Sequence, residues 1–186
     1  MGPLALKFVL KKRPDAGRPE ELAFEDVLPA TFGSTEKYAK VMLDKGIKPE
    51  LEVWHTGQLW LVCNLIDKGL VKPPYLIQFV MGFQSGVYAT PKELLHLLES
   101  APMPSVLFVL GVGPLQTSMI NLGILLGINV RTGREDNVYY RRGQFCKNNA
   151  QLVEKVVRIV RELDREIATP KQARQMLGLS EKPSQY

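Results

Sequence analysis

From residue 34 onward, amphipathic stretches alternate with short apolar runs. Ser34 to Lys45 has helical spacing, with Tyr38, Val41 and Met42 on one face, and stops at Gly46 and Pro49. Leu51 to Trp54 reads as a strand and Thr56 to Lys68 as a helix ended by Gly69. Tyr75 to Met81 is the next strand. Thr90-Pro91-Lys92-Glu93 then opens a helix to about Ser100, with a capping box and proline in the first turn. Ser105 to Leu110 and Ile128 to Val130 are predicted strands, with a helix from Leu115 to Leu126 between them. Asn149 to Ala168 is predicted as one long helix with Leu152, Val153, Val156, Val157, Val160, Leu163 and Ile167 on one face. Thr169-Pro170-Lys171-Gln172 opens a final short helix.

The order is strand then helix, four times. Strands that are near-continuously apolar between helices predict a parallel sheet covered on both faces, with right-handed crossovers. Residues 1–33 fit less well: Leu4 to Leu10 suits a strand or a helical turn, and Arg13 to Glu21 is a polar loop. The division expected is an irregular segment over 1–33, the repeating unit over 34–180 and a tail over 181–186. Two α/β architectures remain open: a small open sheet, or part of a (βα)8 barrel, which takes twice as many units and typically about 250 residues.

Composition narrows the function classes. The chain has 186 residues, 45% hydrophobic and 23% charged, which fits one globular domain. The net charge of +5 suits an anionic ligand, but the basic pairs are scattered without interleaved aromatics, so no nucleic acid is expected. Cys63 and Cys146 stand alone, which excludes a zinc finger and disfavours a disulfide scaffold, leaving the cytoplasm as the expected location. Residues 101–130 lack any charge, yet Gly111, Gly113, Pro114 and Gln116 break them into strand, turn and helix, so no membrane span is expected.

In parallel α/β folds, ligands gather at the carboxyl ends of the strands. Glycine recurs at all four ends, consistent with a ligand at the backbone or simply with tight turns. The last end is the richest: Arg131, then Arg134, Glu135 and Asp136 within six residues. Arg131 could clamp a carboxylate. The adjacent Glu135 and Asp136 diverge, so one could hold a metal while the other takes a proton. A surface ion network around a turn is the plain alternative. Glu50, Glu52 and Trp54 share one side of their strand, and Glu52 and Gln78 would point into a barrel as structural hydrogen-bonding groups. His55 lies at a strand end, His96 on a helix as a structural residue, and Met42, Met119 and Met176 read as core filling. Gly111-Val112-Gly113 suggests a dinucleotide loop, but the third glycine position is Gln116 and Pro114 falls inside.

The segments KPELEVWHTGQL (48–59), LIQFVMGFQSGVYATP (76–91), VLFVLGVG (106–113), NVRTGREDNVYYRRG (129–143) and NNAQLVEKVVRIVRELDREIATPKQARQMLGL (148–179) resemble, in order and spacing, the C-terminal half of the β-keto acid cleavage enzymes. The resemblance implies a zinc-dependent TIM barrel that turns a β-keto acid and acetyl-CoA into acetoacetate and a new acyl-CoA. It implies that Glu135 is a metal ligand, beside a His-x-His pair from an early strand. It further implies that Arg131 and Asp136 form the dyad that removes the substrate α-proton. Zinc would polarise the keto carbonyl and stabilise the enolate, whose carbanion then attacks the thioester.

The departures from that pattern are as informative. Only two histidines are present and no His-x-His exists, so one carboxylate is left where catalytic zinc takes about three protein ligands. The chain is expected to hold about the last four βα units, an incomplete barrel, with Met1-Gly2-Pro3 as the exit of a fourth strand. It is expected to be inactive alone and to bind zinc poorly. The family's oligomeric habit implies a homo-oligomer for the full-length enzyme. The alternative is a non-catalytic half-barrel that pairs with itself or with a partner chain across open strand edges.

Overall fold

A computed structural model describes residues 4–181. The expectations for Met1-Gly2-Pro3 and for residues 182–186 of the tail lie outside the described residues. Residues 4–33 are not irregular. Leu4–Leu10 (β1) and Leu22–Leu28 (β2) form an antiparallel hairpin, with Leu4 opposite Leu28 and Leu10 opposite Leu22. Phe8 and Phe24 stack across it, 4.9 Å between centroids. Lys7 and Glu25 pair across it as well, and these exposed charges hide the strand period in the sequence. The Gln84 side-chain amide holds the hairpin, accepting from Lys7 N and donating to Lys7 O, both at 2.6 Å.

Helix α1 (Phe32–Asp44) begins earlier than predicted, because Thr31 and Ser34 cap each other's backbone N–H. Its buried side is Thr35 and Ala39, not the predicted Tyr38 and Val41, which are exposed. Glu36 ties it to the next helix by accepting from Asn64 and Lys68.

The repeating unit follows. It comprises β3 (Glu50–Val53), α2 (Leu59–Asp67), β4 (Tyr75–Met81), α3 (Pro91–Ser100), β5 (Ser105–Gly111), α4 (Gln116–Leu125) and β6 (Asn129–Val130). The four strands are parallel in the order β3-β4-β5-β6, so each lies beside its predecessor. Sequential order with crossovers of one hand carries the covering helices to one face. Leu51, Val53, Ile77, Phe79, Met81 and Val109 meet Leu59, Val62 and Leu65 of α2, Leu94 and Leu97 of α3 and Met119 of α4 in one core. Burying each large apolar side chain contributes about 1.5–3 kcal/mol. This corrects the expectation of helices on both faces. The opposite face carries Glu52, Gln78, Phe108 and Asn129 in one register row.

Beyond the sheet, β7 (Tyr139–Arg141) and β8 (Gln144–Phe145) form a hairpin that the sequence reading missed, turned at Gly143 with φ +76°. Helix α5 (Asn149–Glu162) stops short of the predicted Ala168, because Asp164 adopts a left-handed backbone, φ +50°. Helix α6 (Pro170–Met176) begins at the predicted Thr169–Gln172 box. Met119 is core as expected; Met42 is half-buried and Met176 is exposed. No helix among the described residues is long and apolar enough to cross a membrane.

Candidate active site

The segment after β6 is held in place by neighbouring elements. Gln116, buried at the start of α4, donates to Gly133 O at 3.0 Å and accepts from Thr132 Oγ1 at 3.1 Å. Gly113 N donates to Asp136 O at 2.7 Å. Arg134 N donates to Asn149 Oδ1 at 2.9 Å, fixing the loop to the start of α5. Gln116 matters for this bracing, a role that neither its place in the uncharged run nor the absent third glycine signals.

Arg131 is the centre. Its guanidinium reaches Asp136 twice, Nε to Oδ2 at 3.2 Å and NH2 to Oδ1 at 3.1 Å. It also donates to Glu135 Oε2 at 2.8 Å and to Glu52 Oε1 at 3.2 Å. The fork geometry of arginine is what allows this arrangement of three carboxylates. Gln78 donates to the same Glu52 oxygen at 3.2 Å. Glu52 and Gln78 therefore do more than fill a polar layer, since they tie the sheet face to Arg131.

The three carboxylates differ in exposure. The Asp136 side chain is 8% exposed, Glu52 38% and Glu135 84%. Burial is the strongest influence on Asp136 and lifts its carboxyl above the ordinary range; Arg131 pulls it back only in part. Arg131 shifts upward too. Burial opposes its charge, but the attraction of Asp136, Glu135 and Glu52 outweighs that. The pair is thus a charged arginine beside a buried carboxylate with raised proton affinity, which is what a carbon-acid base requires.

The other candidates fall outside this cluster. His55 precedes the 3-10 turn Thr56–Gln58, its ring against Gly57, and burial lowers its proton affinity. His96 lies on α3, the helix expected for it, and is exposed. At two strand ends, glycine serves packing. Gly82 has φ +80°, and a Cβ on Gly111 would lie 2.6 Å from Leu115 O. Cys63 and Cys146 are both free.

Among the described residues, no group of three His, Cys, Asp or Glu could hold a metal. Glu135 is well exposed at the strand end, but as a donor it stands without the ligands a zinc ion takes. The residues described here do not by themselves fit a zinc site.

Comparison with known proteins follows this geometry. The beta-keto acid cleavage enzyme family model matches residues 5–179. A 3-keto-5-aminohexanoate cleavage enzyme from Acetoanaerobium sticklandii is 38% identical over 170 residues, covering 86% of this chain and 62% of the relative. A 3-dehydrocarnitine:acetyl-CoA trimethylamine transferase from Rhizobium meliloti is 32% identical over 156 residues, covering 84% of this chain and 52% of the relative. The chain thus spans between half and two thirds of the length of these relatives. The structure titled "Apo structure of ObcA" superposes with a TM-score of 0.66 over 83% of this chain and 41% of its own, at 17% identity. That likeness speaks to the α/β, TIM-barrel-like fold alone.

Proposed function

The chain belongs to the beta-keto acid cleavage enzyme family, and from that premise we propose that it carries the proton-transfer half of an acetyl-CoA-dependent β-keto acid cleavage site. The observation that carries the reading is the buried Asp136 gripped in two places by Arg131 at the carboxyl end of β6. Asp136 removes the α-proton from the carbon between the keto and carboxylate groups. Arg131, already charged, binds the substrate carboxylate or balances the enolate as it forms. The carbanion attacks the acetyl thioester and expels the CoA thiolate; the thiolate then adds to the original keto carbon, the bond from that carbon to the α-carbon breaks, and the α-carbon takes a proton back, which gives acetoacetate and a new acyl-CoA. Atoms balance with no redox partner.

Glu135 is the metal donor this chain offers in that reading. Because the other ligands are not among the described residues, no step is routed through zinc. The four βα units, with both β3 and β6 paired on one side only among the described residues, are read as part of a barrel completed by further units. Two free cysteines and the absence of a disulfide among the described residues suit the reducing cytoplasm. A homo-oligomer is the assembly proposed for the complete enzyme.

A second reading has its own observation. The groove beside β6, about 880 Å³, is walled by half-exposed Val153 and Ile167 and by the more buried Val157. Such an edge suits a non-catalytic half-barrel closed by a second copy or a partner chain. A strictly monomeric chain in sizing chromatography would remove this second reading.

The test of the first reading is deuterium exchange at the α-carbon of a β-keto acid, followed by NMR with the assembled enzyme. Asp136→Asn should slow exchange about 10²- to 10⁴-fold. Undiminished exchange in a folded variant would remove Asp136 from the role.

A further inference from the structure

A second set of charges lies off the Arg131 cluster, where β7, α4 and α5 meet. Lys155 of α5 donates to Tyr140 O at 2.8 Å and to Thr117 Oγ1 at 3.0 Å. Arg158, one turn on, donates to the Tyr140 hydroxyl at 3.1 Å. Arg141 lies over the Tyr140 ring, 5.3 Å from its centroid, and the Lys155 ammonium is at the same distance.

Three cations thus surround one aromatic ring. None has a carboxylate partner among the described residues, whose ion pairs use Lys7, Lys40, Lys68 and Arg131. Gathering like charges without a counterion costs free energy unless an anion completes the group. Lys155 keeps one of its three N–H donors free and Arg158 keeps most of its five, which suits phosphate oxygens. The Arg141 guanidinium over that ring is exposed and planar, a surface on which a base can stack.

We infer that Tyr140, Arg141, Lys155 and Arg158 form a binding site for the phosphates of the acyl carrier's nucleotide. The identity of that carrier rests on the function proposed above. Tyr140 follows Asp136 by four residues, so no more than about 14 Å of chain separates them. Thr117 belongs to the first turn of α4, at the carboxyl end of β5, the same end of the sheet as Asp136. The pantetheine arm of CoA spans a comparable reach between thioester and phosphates.

The test is calorimetric titration of the full chain with three probes: CoA, adenosine 3′,5′-bisphosphate and inorganic pyrophosphate. Arg141 and Arg158 are exposed, so their replacement leaves the core intact. Binding of the bisphosphate and of CoA should weaken at least tenfold in the Arg141→Gln, Arg158→Gln double variant. Lys155→Gln should weaken both as well with the two arginines kept, and Lys92→Gln on α3 should change neither. Equal binding in wild type and double variant would overturn the site, as would failure of all three probes to bind. Pyrophosphate binding as tight as the nucleotide would overturn the nucleotide assignment. CoA binding that the double variant leaves untouched would sink this site while the acetyl-CoA reading stands. Bisphosphate binding lost in the double variant, with CoA bound no tighter than the bisphosphate and no acyl exchange, would keep the site and sink that reading.

Discussion

Asp136 combines burial with a charged partner, and the two act oppositely on its proton. Burial wins, so the folded carboxyl holds its proton at higher pH than the unfolded chain does. Its favourable contribution to folding is therefore complete below the unfolded carboxylate range and is lost as pH rises through the raised folded value. Asp136→Asn has no such loss. The stability difference between variant and wild type should move in the variant's favour from about pH 3 to about pH 7, as read by urea unfolding at each pH. A difference that is flat, or that moves toward the wild type, would mean Arg131 dominates after all. On the function proposed above, Glu52 acts through Arg131 and is a positioning residue. Glu52→Gln should lower turnover of the assembled enzyme roughly tenfold, mainly in kcat, with Glu52→Asp recovering part of the loss. A change confined to KM would place Glu52 at the substrate. The link from Glu52 to Arg131 spans 79 residues. No local spacing encodes it, and alternation gave only the direction in which Glu52 points.

At the scale of elements, the apolar periods fixed most of the repeating unit. Tyr75–Met81 and Pro91–Ser100 match the reading directly, since a seven-residue apolar run and a capped proline start are local signals. The losses have physical causes. The β1–β2 hairpin carries apolar side chains that remain exposed, such as Val9 and Leu22, so no inside–outside alternation marks it. The β7–β8 hairpin is too short to show a period. Helix α5 ends on a backbone conformation of Asp164, not on a glycine or proline. Where β5 meets α4, close approach makes a single residue decisive. A Cβ on Gly111 would press on the Leu115 backbone, 2.6 Å from its oxygen and 2.8 Å from its carbon. Backbone cannot swing aside as a side-chain tip does, so Gly111→Ala should cost about 1–3 kcal/mol in denaturant unfolding. A neutral effect would show that the β5–α4 turn yields.

The whole molecule sets the conditions under which the site works. Arg131 and Asp136 are preorganised by groups from β3, β4, α4 and the loop after β6, all within the described residues. Among the described residues, Glu135 belongs to no group of three His, Cys, Asp or Glu that could hold a metal. On the function proposed above, the Arg131–Asp136 pair performs the proton transfer that precedes acyl exchange. The measurement that tests this most directly follows the acetyl carbons themselves. The protein, isolated in its assembled form from its own cells, is given a β-keto acid and acetyl-CoA labelled with carbon-13 in the acetyl group. The products are read by NMR beside the same reaction with this chain alone. The account predicts label in the keto and methyl carbons of acetoacetate from the assembled protein, lost with Asp136→Asn, and none from the chain alone. Full transfer by the Asp136→Asn protein, or unlabelled acetoacetate from the assembled enzyme, would contradict it.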